Sequence, residues 1–394
     1  MTSPAAASQL GAAFPQEEND ARVAAVRAAM EVRGVAALLL ASPEDIYYLV
    51  GLNHFGYFAV TLLVLPLEGP PLLVARAMEG PTVSVQSPRC VFVAYEDDED
   101  PADAAVAAVC QAGLDASAVG TEGSTMYLPP AVHERIRAGL PAVRWTDVGE
   151  LVARERIVKS PREVDFVRRS AAISDRALQT GLAAAVEGAT EREVAAAIYA
   201  ELIGAGSDSP AVPALVRSTP TLALEHVTWG DRPLARGDAL FIELSASVAR
   251  YHAPTSRFAH VGQAPAGLED VARHALAGLD AIRGALRPGV RAGEVYDAWQ
   301  TTIDAGLGHS RYRRHHCGYV TGIGFAPSWT GPGAPIGLRP GQELVLRTGM
   351  VFHVFSWILG QGPADYGVSD TALVTADGCE LLTTTGRDPI IIRR

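Results

Sequence analysis

The chain has 394 residues, of which 48% are hydrophobic and 20% charged, and its formal net charge is −11. This length exceeds one ordinary compact core and predicts two domains, and the apolar content excludes a largely disordered chain. Acidic residues outnumber basic ones, and no sustained block of Lys and Arg occurs. These features argue against nucleic acid or an anionic membrane surface as a partner.

The cysteines and the N-terminus indicate a reducing compartment. The four cysteines lie far apart and form no CxxC pair, which argues against a zinc knuckle and a disulfide framework. The opening "MTSPAAASQLGAAF" lacks the basic start and the long apolar core of a signal peptide. The longest apolar run, residues 57–75, is interrupted by prolines and a glutamate and cannot form a membrane helix. We expect a cytoplasmic protein.

Residues 1–155 alternate between helix and strand patterns. A charged, Ala-rich helix is predicted for residues 15–33 with Gly34 as its stop, and an apolar strand follows at 35–41. The other predicted elements are strands at 58–67 and 71–76, around the turn signal "EGP", and helices at 101–112 and 129–138. This alternation predicts a small α/β domain.

A second domain is predicted for residues 156–394. It begins with a long helix, since Ser160, Pro161 and Glu163 form a capping box with proline at the first helical position. The spacing Gly-x4-Glu-Val then occurs twice, at residues 188–194 and 289–295, each time before a predicted helix. The short match indicates two similar halves related by a pseudo-twofold axis, with a cavity between them.

Two strand pairs are predicted in this second domain. One pairs residues 238–247 with 250–262, and the other pairs 350–359 with 368–375. A mostly antiparallel sheet covered by long helices follows, so the fold class of the domain is α+β.

Glu243 and His252 lie in the first hairpin, among apolar and β-prone neighbours. A buried glutamate is either a structural carboxylate with a fixed partner or a group whose raised pKa suits catalysis. His252 is either a histidine bonded to a backbone carbonyl or a proton-transfer group. A two-residue turn at 247–248 would place the two residues opposite each other, whereas a three-residue loop would offset them.

Two loops carry further candidates. His226 and Trp229 occur in "EHVTWGDRP", where packing within the loop is the simpler interpretation. Tyr319 occurs in "HHCGYVTGIGFAPSW", a glycine-rich loop whose aromatic residues flank a potential pocket. A metal at the adjacent residues 315–317 is disfavoured, because neighbouring ligands are geometrically awkward.

Taken together, these segments resemble the creatinase, prolidase and methionine aminopeptidase superfamily. The resemblance is carried by "SPEDIYYLVGL", "IVKSPREVDFVRRSAAISDRAL", "LARGDALFIELSASVARYHAPTSR", "LRTGMVFHVFSW" and "YGVSDTALVTADGCELLT". It covers nearly the whole chain and implies a pita-bread catalytic domain behind a smaller N-terminal α/β domain.

The metallopeptidase branch of this superfamily holds two divalent ions with five side chains. The resemblance places those positions at Glu243, Pro254, Tyr319, Phe355 and Ser369. Proline and phenylalanine cannot ligate a metal, so we expect no dinuclear centre and no other cofactor.

Among metal-independent members, the chain is most similar to the ectoine hydrolase group. That group has "RYHxPxSR", "HxTW" and "GYxxGxxxxPxW" segments, which here begin at Arg250, His226 and Gly318. The resemblance implies hydrolysis of a non-peptide C–N bond in a small amidine, guanidine or cyclic amino-acid derivative. It assigns Glu243 as the nucleophile and His252 and His226 to proton transfer. The implied substrate-binding residues are Tyr319, Arg257, Trp229, Trp329, Phe355, Phe55 and Tyr57.

The sequence differs from the ectoine hydrolase group at some positions, so alternative functions stay open. Ser369 replaces a glutamate of the group's final strand motif, which indicates a changed substrate. A biosynthetic enzyme of the same fold and a non-catalytic module that binds peptides or proteins are the alternatives. The resemblance also implies a homodimer in which Phe55, Tyr57 and Arg76 of one subunit reach the site of the other.

Overall fold

The structure is a computed structural model that describes residues 13–331, 335–362 and 364–393. The N-terminal stretch that lacks signal-peptide features lies almost entirely outside these residues. The chain forms two compact units. The N-terminal unit contains residues 13–156 and Gly331, and the C-terminal unit contains the described residues of 157–330 and 335–393. No helix in the described ranges is both long and apolar enough to span a bilayer.

The N-terminal unit is an α/β layer around a six-stranded mixed sheet with strand order β4-β3-β2-β1-β5-β6. Its core packs Leu39, Val64 and Val74 of the sheet against Ala105 and other small residues of one helix. The helices and strands of this unit are α1 Gln16–Arg33, β1 Ala37–Leu40, α2 Pro43–Val50, β2 Leu62–Pro66, β3 Leu72–Arg76, α3 Gly80–Gln86, β4 Val91–Tyr95, α4 Pro101–Gln111, β5 Ala118–Thr121, α5 Pro130–Gly139, β6 Arg144–Asp147 and α6 Leu151–Arg156.

The C-terminal unit contains a largely antiparallel sheet with strand order β10-β11-β12-β9-β8-β7, to which β13 and β14 add at β12 and β9. Its helices and strands are α7 Pro161–Ala184, α8 Glu191–Gly204, β7 Leu215–Ser218, β8 Ala239–Val248, β9 Tyr251–Val261, α9 Leu268–Ala285, α10 Ala292–Leu307, β10 Gly318–Val320, β11 Val351–Ile358, β12 Tyr366–Thr375, β13 Gly378–Leu381 and β14 Ile390–Ile392. Both predicted strand pairs are therefore present, as β8 with β9 and β11 with β12.

The repeated Gly-x4-Glu-Val motif has a structural cause. Gly188 and Gly289 have φ angles of 88° and 85°, a left-handed conformation that favours glycine. Glu193 and Glu294 then accept the backbone N–H of the residue that precedes helices α8 and α10. The valine that follows each glutamate is fully buried. The motif thus begins corresponding helices in the two halves of the unit.

The turn between β8 and β9 determines their register. Ala249 and Arg250 form a two-residue turn with φ angles of 49° and 67°, the positive values of a type I′ hairpin. The ladder consequently pairs Ser247 with His252 and Glu243 with Ser256. The alternative in which Glu243 stands opposite His252 is wrong, because the turn lies two residues further along the chain than residues 247–248.

Helices cover one face of this sheet and leave the other face to polar and aromatic side chains. Ile242 and Leu244 of β8 pack against α7 and α8, and Val354 of β11 packs in the cluster formed with α9 and α10. Because side chains alternate along a strand, Glu243 and Phe355 lie on the opposite face. This alternation separates the core from the site described below.

A buried ion pair joins the two central strands on the helix-covered face. β9 and β12 share only two ladder pairs, and Arg257 belongs to one of them. Its guanidinium lies 3.0 Å from Asp370 and donates to the carbonyl oxygens of Ser256 and Ser369, at 2.7 Å each. Asp370 also accepts from Arg387 at 2.6 Å. Arg257 and Asp370 are 1% and 0% exposed, so hydrogen bonds within the protein take the place of those that water would make to these groups.

Arg257→Met should lower the free energy of unfolding by about 3–5 kcal/mol, because it leaves a buried carboxylate short of one charged partner. Urea unfolding followed by circular dichroism measures the loss. The matched control is Arg168→Met, which removes a half-exposed pair with Glu380 and should cost no more than about 1 kcal/mol. Equal losses of unfolding free energy in the two variants would show that the central ion pair stabilises the protein no more than an exposed pair does.

Candidate active site

Strand pairing brings the candidate residues together on the open face of the sheet. One row of side chains crosses the sheet from strand to strand. It contains Glu243, Ser256, Ser369 and Phe355, each of which pairs with the next in the ladder. In the neighbouring row, His353 of β11 pairs with Tyr319 of β10. Residues up to 126 positions apart in the sequence thus share one small area, because the register places them there.

A cavity of about 500 Å³ lies over this face. Glu243 is the carboxylate at its floor, and aromatic rings form most of its walls. The described ring-bearing residues that line it are His226, His315, His316, Tyr319, Trp329, Phe355 and Trp357. This volume suits a small organic molecule.

Burial raises the pKa of Glu243 to about 7. The positive charges of Arg217 and Arg314 oppose this shift and the negative charge of Glu225 adds to it, but the loss of water is the largest cause. The carboxyl group is therefore divided between its two protonation states near neutral pH. A carboxylate with this property can act as a nucleophile or as an acid and base.

His353 is the histidine that lies beside Glu243. Its Nε2 atom is 3.8 Å from Oε1 of Glu243, too long for a hydrogen bond. The ring is fully buried, and burial lowers the pKa of His353 to about 3, with His316 acting in the same direction. The imidazole is therefore neutral at physiological pH, and the contact is not an ion pair. Glu243 keeps its raised pKa because this neighbour carries no charge.

A chain of hydrogen bonds fixes the His353 ring. Nδ1 lies 2.9 Å from the Tyr319 hydroxyl, which accepts from Trp329 Nε1 at 3.0 Å. On the other side, Nε2 lies 2.7 Å from the Ser369 hydroxyl, which donates to Ser256 at 2.7 Å. Since Ser369 gives its proton to Ser256, we assign the ring proton to Nε2, and Tyr319 donates to Nδ1.

His252 does not lie beside Glu243, where a two-residue turn at 247–248 would have placed it. Its strand partner is Ser247, four residues from Glu243 along β8, or roughly 13 Å. Both ring nitrogens are engaged with backbone, since Nδ1 lies 2.9 Å from the carbonyl oxygen of Arg250 and Nε2 accepts from Ala211 N–H at 3.0 Å. Burial lowers the pKa of His252 to about 4. This residue orders the end of the hairpin.

Two predicted substrate-binding residues of the C-terminal unit are not among the described residues that line the cavity. Arg257 extends from the opposite face of the sheet, and its guanidinium forms an ion pair with Asp370. Trp229 packs its ring on Tyr199, with centroids 5.7 Å apart, at the edge of the core formed with α8. Both residues have structural contacts that account for their presence.

The other predicted site residues fall into two groups. Tyr319, Trp329 and Phe355 line the cavity, and His226 reaches it from an exposed loop position. Phe55 and Tyr57 belong to the N-terminal unit. Phe55 is 59% exposed, and the Tyr57 ring packs on His54 with centroids 4.4 Å apart. Their contribution to a partner's site stays a prediction.

The donor set does not fit a dinuclear metal centre. Of the five positions that the resemblance assigns to metal ligands, Pro254 and Phe355 have no donor atom, and Ser369 and Tyr319 are bound to His353. Two bridged divalent ions need several carboxylates, and Glu243 is the one carboxylate in this set. Within the described part of the chain, no three His, Cys, Asp or Glu residues are arranged to hold a metal ion.

Sequence reasoning missed three residues of the site. His353 lies two positions before Phe355 in the same strand, so period-two alternation would have placed both side chains on one face. Trp357 lies two positions further and lines the cavity for the same reason. Arg314 precedes the glycine-rich loop, and its guanidinium lies 4.8 Å from the centre of the Trp357 ring. No local pattern indicates Arg314, because its position depends on the path of the loop.

Comparison with known proteins agrees with this arrangement. Residues 165–376 match the model of metallopeptidase family M24, and residues 22–158 match the creatinase/prolidase N-terminal domain. The first match alone covers more than half of the chain. The chain belongs to the creatinase/prolidase superfamily. It is a hydrolase of that superfamily, with the pita-bread catalytic domain and the N-terminal α/β domain that the resemblance implied.

Several relatives of this superfamily align along nearly the whole chain. Ectoine hydrolase of Halomonas elongata is 27% identical over 95% of this chain and 97% of its own length. The Xaa-Pro dipeptidase of Pyrococcus horikoshii is 25% identical over 92% and 96%. Among solved structures, dipeptidase PepE from Mycobacterium ulcerans has a TM-score of 0.80 at 25% identity, covering 96% and 99% of the two chains. Two dipeptidases and an ectoine hydrolase are therefore similar to this protein.

The raised pKa of Glu243 predicts a pH-dependent cost to stability. The folded-state pKa of about 7 lies above the ordinary value of 4.5, so folding favours the protonated form. Stability from this group is complete below pH 4.5 and is lost as the pH rises through 7. Glu243→Gln should therefore stabilise the protein at pH 8, by at most about 3 kcal/mol, and leave it unchanged at pH 4.5.

Thermal unfolding of both proteins across this pH range provides the measurement. Glu187→Gln, at an exposed position, serves as the control and should follow the wild type at every pH. A Glu243→Gln variant that gains no stability at pH 8 would contradict the raised pKa.

Proposed function

We propose that this protein is a metal-independent hydrolase that cleaves a non-peptide C–N bond in a small amidine, guanidine or cyclic amino-acid derivative. The observation that carries the proposal is Glu243, a buried carboxylate with a pKa of about 7, beside a neutral histidine in an aromatic cavity. The similarity to ectoine hydrolase supports the same class of reaction. The residues at the metal-ligand positions disfavour the dinuclear chemistry of the peptidases.

An amidinium carbon is electrophilic without a Lewis acid, since the group already carries a positive charge. The ionised Glu243 carboxylate forms a C–O bond to this carbon and gives a tetrahedral adduct. The aromatic walls exclude competing water and strengthen the attraction between carboxylate and amidinium. Binding of the cation also favours the ionised carboxylate, because an opposite charge lowers a carboxyl pKa.

His226 is the proposed acid and base. A protonated imidazole gives its proton to the leaving nitrogen, and the C–N bond breaks to release ammonia or an amine. Glu243 is left as an ester of the imidate. Water then attacks the imidate carbon while His226 takes one of its protons, and an amide and the free carboxylate are released. The net reaction converts an amidine and water into an amide and an amine.

His353 is proposed as a positioning residue. Its ring lies 3.8 Å from the Glu243 carboxylate and links Tyr319 to Ser369 through hydrogen bonds. A protonated imidazole at this distance would lower the Glu243 pKa and hold the carboxylate in an ion pair. The buried, neutral ring therefore keeps the nucleophile available.

Glu243→Gln should abolish turnover of an amidine substrate while preserving the fold, because an amide is a far weaker nucleophile. Intact-mass spectrometry tests the same step in the wild type. After exposure to creatine, acetamidine and related acyclic amidines, the protein should gain the mass of the substrate minus its leaving amine. After exposure to ectoine it should gain the full mass of the substrate, because the amine stays attached when the ring opens. Peptide mapping should place the added mass on Glu243.

Glu225→Gln is the matched control, since Glu225 lines the same cavity at an exposed position. It should keep the adduct and most of the turnover. Near-wild-type activity of Glu243→Gln would refute the nucleophile, and turnover confined to Xaa-Pro dipeptides, stimulated by added Mn²⁺ or Co²⁺, would replace the proposal with a peptidase.

The pH profile distinguishes Glu243 from His226. For an amidine that stays charged throughout, kcat/KM should rise about tenfold per pH unit on the acidic side of pH 7, since ionised Glu243 is required. His226→Gln should reduce the maximal rate and leave the midpoint of this rise in place. A midpoint that disappears with His226 would assign the titration to the histidine instead.

The resemblance also motivates proposals for the assembly and location of the protein. We propose a cytoplasmic homodimer in which the N-terminal domain, residues 1–155, contributes to the site of the partner's catalytic domain, residues 156–394. Light scattering after size-exclusion chromatography measures the mass of the assembly, and a monomer at micromolar concentration would contradict the dimer.

A further inference from the structure

A second cavity of about 450 Å³ adjoins the active-site cavity in the same unit. Trp357 and Glu225 line both cavities, so a single layer of side chains separates them. The second cavity has no role in the chemistry proposed above. Its volume is comparable to that of the first and suits a further part of the same substrate.

The floor of the second cavity is aromatic. It consists of the sheet row next to Glu243, in which Arg217, Phe241 and Phe258 are successive partners. The rings of Phe241 and Phe258 have centroids 5.1 Å apart, and Trp357 packs edge-on against Phe241 at 5.5 Å. An apolar or aromatic group placed here would contact rings on several sides.

The wall between the cavities carries an unused donor. Trp357 lies directly against Gly367 of the neighbouring strand, where any larger residue would collide with its ring. Within the described residues, its buried Nε1 atom has no hydrogen-bond partner. A buried N–H without an acceptor costs about 1–3 kcal/mol, so this position favours a ligand that supplies one.

Arg217 provides a second unused donor. The side chain is 4% exposed, stacks on Phe241 at 4.7 Å and donates through Nη1 to the carbonyl oxygen of Leu224. Its Nε atom is buried and has no acceptor among the described residues. Since arginine and tryptophan N–H groups can only donate, the missing partner must be an acceptor.

The surrounding charges decide which acceptor fits. Glu225 lies 3.5 Å from Arg217 and neutralises part of its charge, and Asp365 lines the same cavity. One arginine is thus accompanied by two carboxylates. A carboxylate ligand would meet net repulsion here, whereas a neutral carbonyl oxygen would not.

We propose that the second cavity is a substrate subsite that binds an apolar, preferably aromatic, arm containing an amide carbonyl. The arm extends past Trp357 from the scissile group at Glu243, and the carbonyl oxygen accepts from Arg217 or Trp357. The inference rests on the proposed function, because it places the scissile amidine at Glu243. The natural substrate is accordingly larger than ectoine or creatine.

Isothermal titration with four compounds tests the subsite by binding alone. Acetamidine carries the scissile group without an arm, and 4-phenylbutanamidine adds an apolar arm. Hippuramidine has an arm of the same length with a carbonyl, and hippuramide keeps that arm but replaces the amidine by an amide. Hippuramidine should bind at least about tenfold more tightly than acetamidine, and more tightly than 4-phenylbutanamidine.

Two variants test whether the gain in affinity from the arm arises in the second cavity. Arg217→Met should reduce the difference in affinity between hippuramidine and 4-phenylbutanamidine, because it removes one of the two donors available to the carbonyl oxygen. Ala223→Phe changes an exposed loop residue that lines the second cavity, and it should remove the advantage of both arms without affecting acetamidine. The matched control, Ala266→Phe, is exposed and lines neither cavity, so it should change nothing. Ala223→Phe keeps the test valid if Arg217→Met fails to fold.

The compounds separate failure of the subsite from failure of the proposed function. Equal binding of acetamidine and hippuramidine, unaffected by Ala223→Phe, would overturn the subsite and leave the amidine chemistry standing. Hippuramide binding as tightly as hippuramidine, with the same loss in Ala223→Phe, would support the subsite and count against an amidine at Glu243.

Discussion

The junction between β9 and β12 is the constraint on which the rest of the site depends. Two ladder pairs join these strands, and the ion pair of Arg257 with Asp370 reinforces them from the helix-covered face. On the open face, the same junction places Ser256 beside Ser369 and so connects Glu243 to the strands that carry His353. A shift by one residue would turn Glu243 towards the helices, since strand side chains alternate. Arg257 thus matters to the chemistry through register, without touching a substrate.

The Glu243 carboxylate is buried without a positively charged group bound to it. Arg217 and Arg314 are near enough to lower the pKa of Glu243, but neither is bound to its carboxylate, and desolvation outweighs both. His353 is closer, yet its burial keeps it neutral, so it supplies shape and hydrogen bonds instead of charge. The combination differs from a structural ion pair such as that of Arg257 with Asp370, where the two side chains are bound to each other.

The sequence predicted the strands of both hairpins, the capping box and the two-domain order, because these depend on local periodicity and local hydrogen bonds. It left the register of β8 and β9 open, since the type I′ turn uses Ala249 and Arg250, neither of which is a residue that usually marks positive φ. The structure pairs His252 with Ser247 and binds Arg257 to Asp370. His353 was accessible in principle, because Phe355 had already identified the face of its strand.

The residues around Glu243 account for its raised pKa. Phe355 lines the same cavity, and neither Pro254 nor Phe355, at two of the positions that the resemblance assigns to metal ligands, has a side-chain donor atom. Burial among such neighbours favours the protonated carboxyl group and raises the pKa of Glu243 towards neutrality. The aromatic wall then continues through Trp357 to a second cavity lined with unused donors. The two adjoining cavities therefore offer aromatic rings and a few N–H groups as the elements that can recognise a ligand.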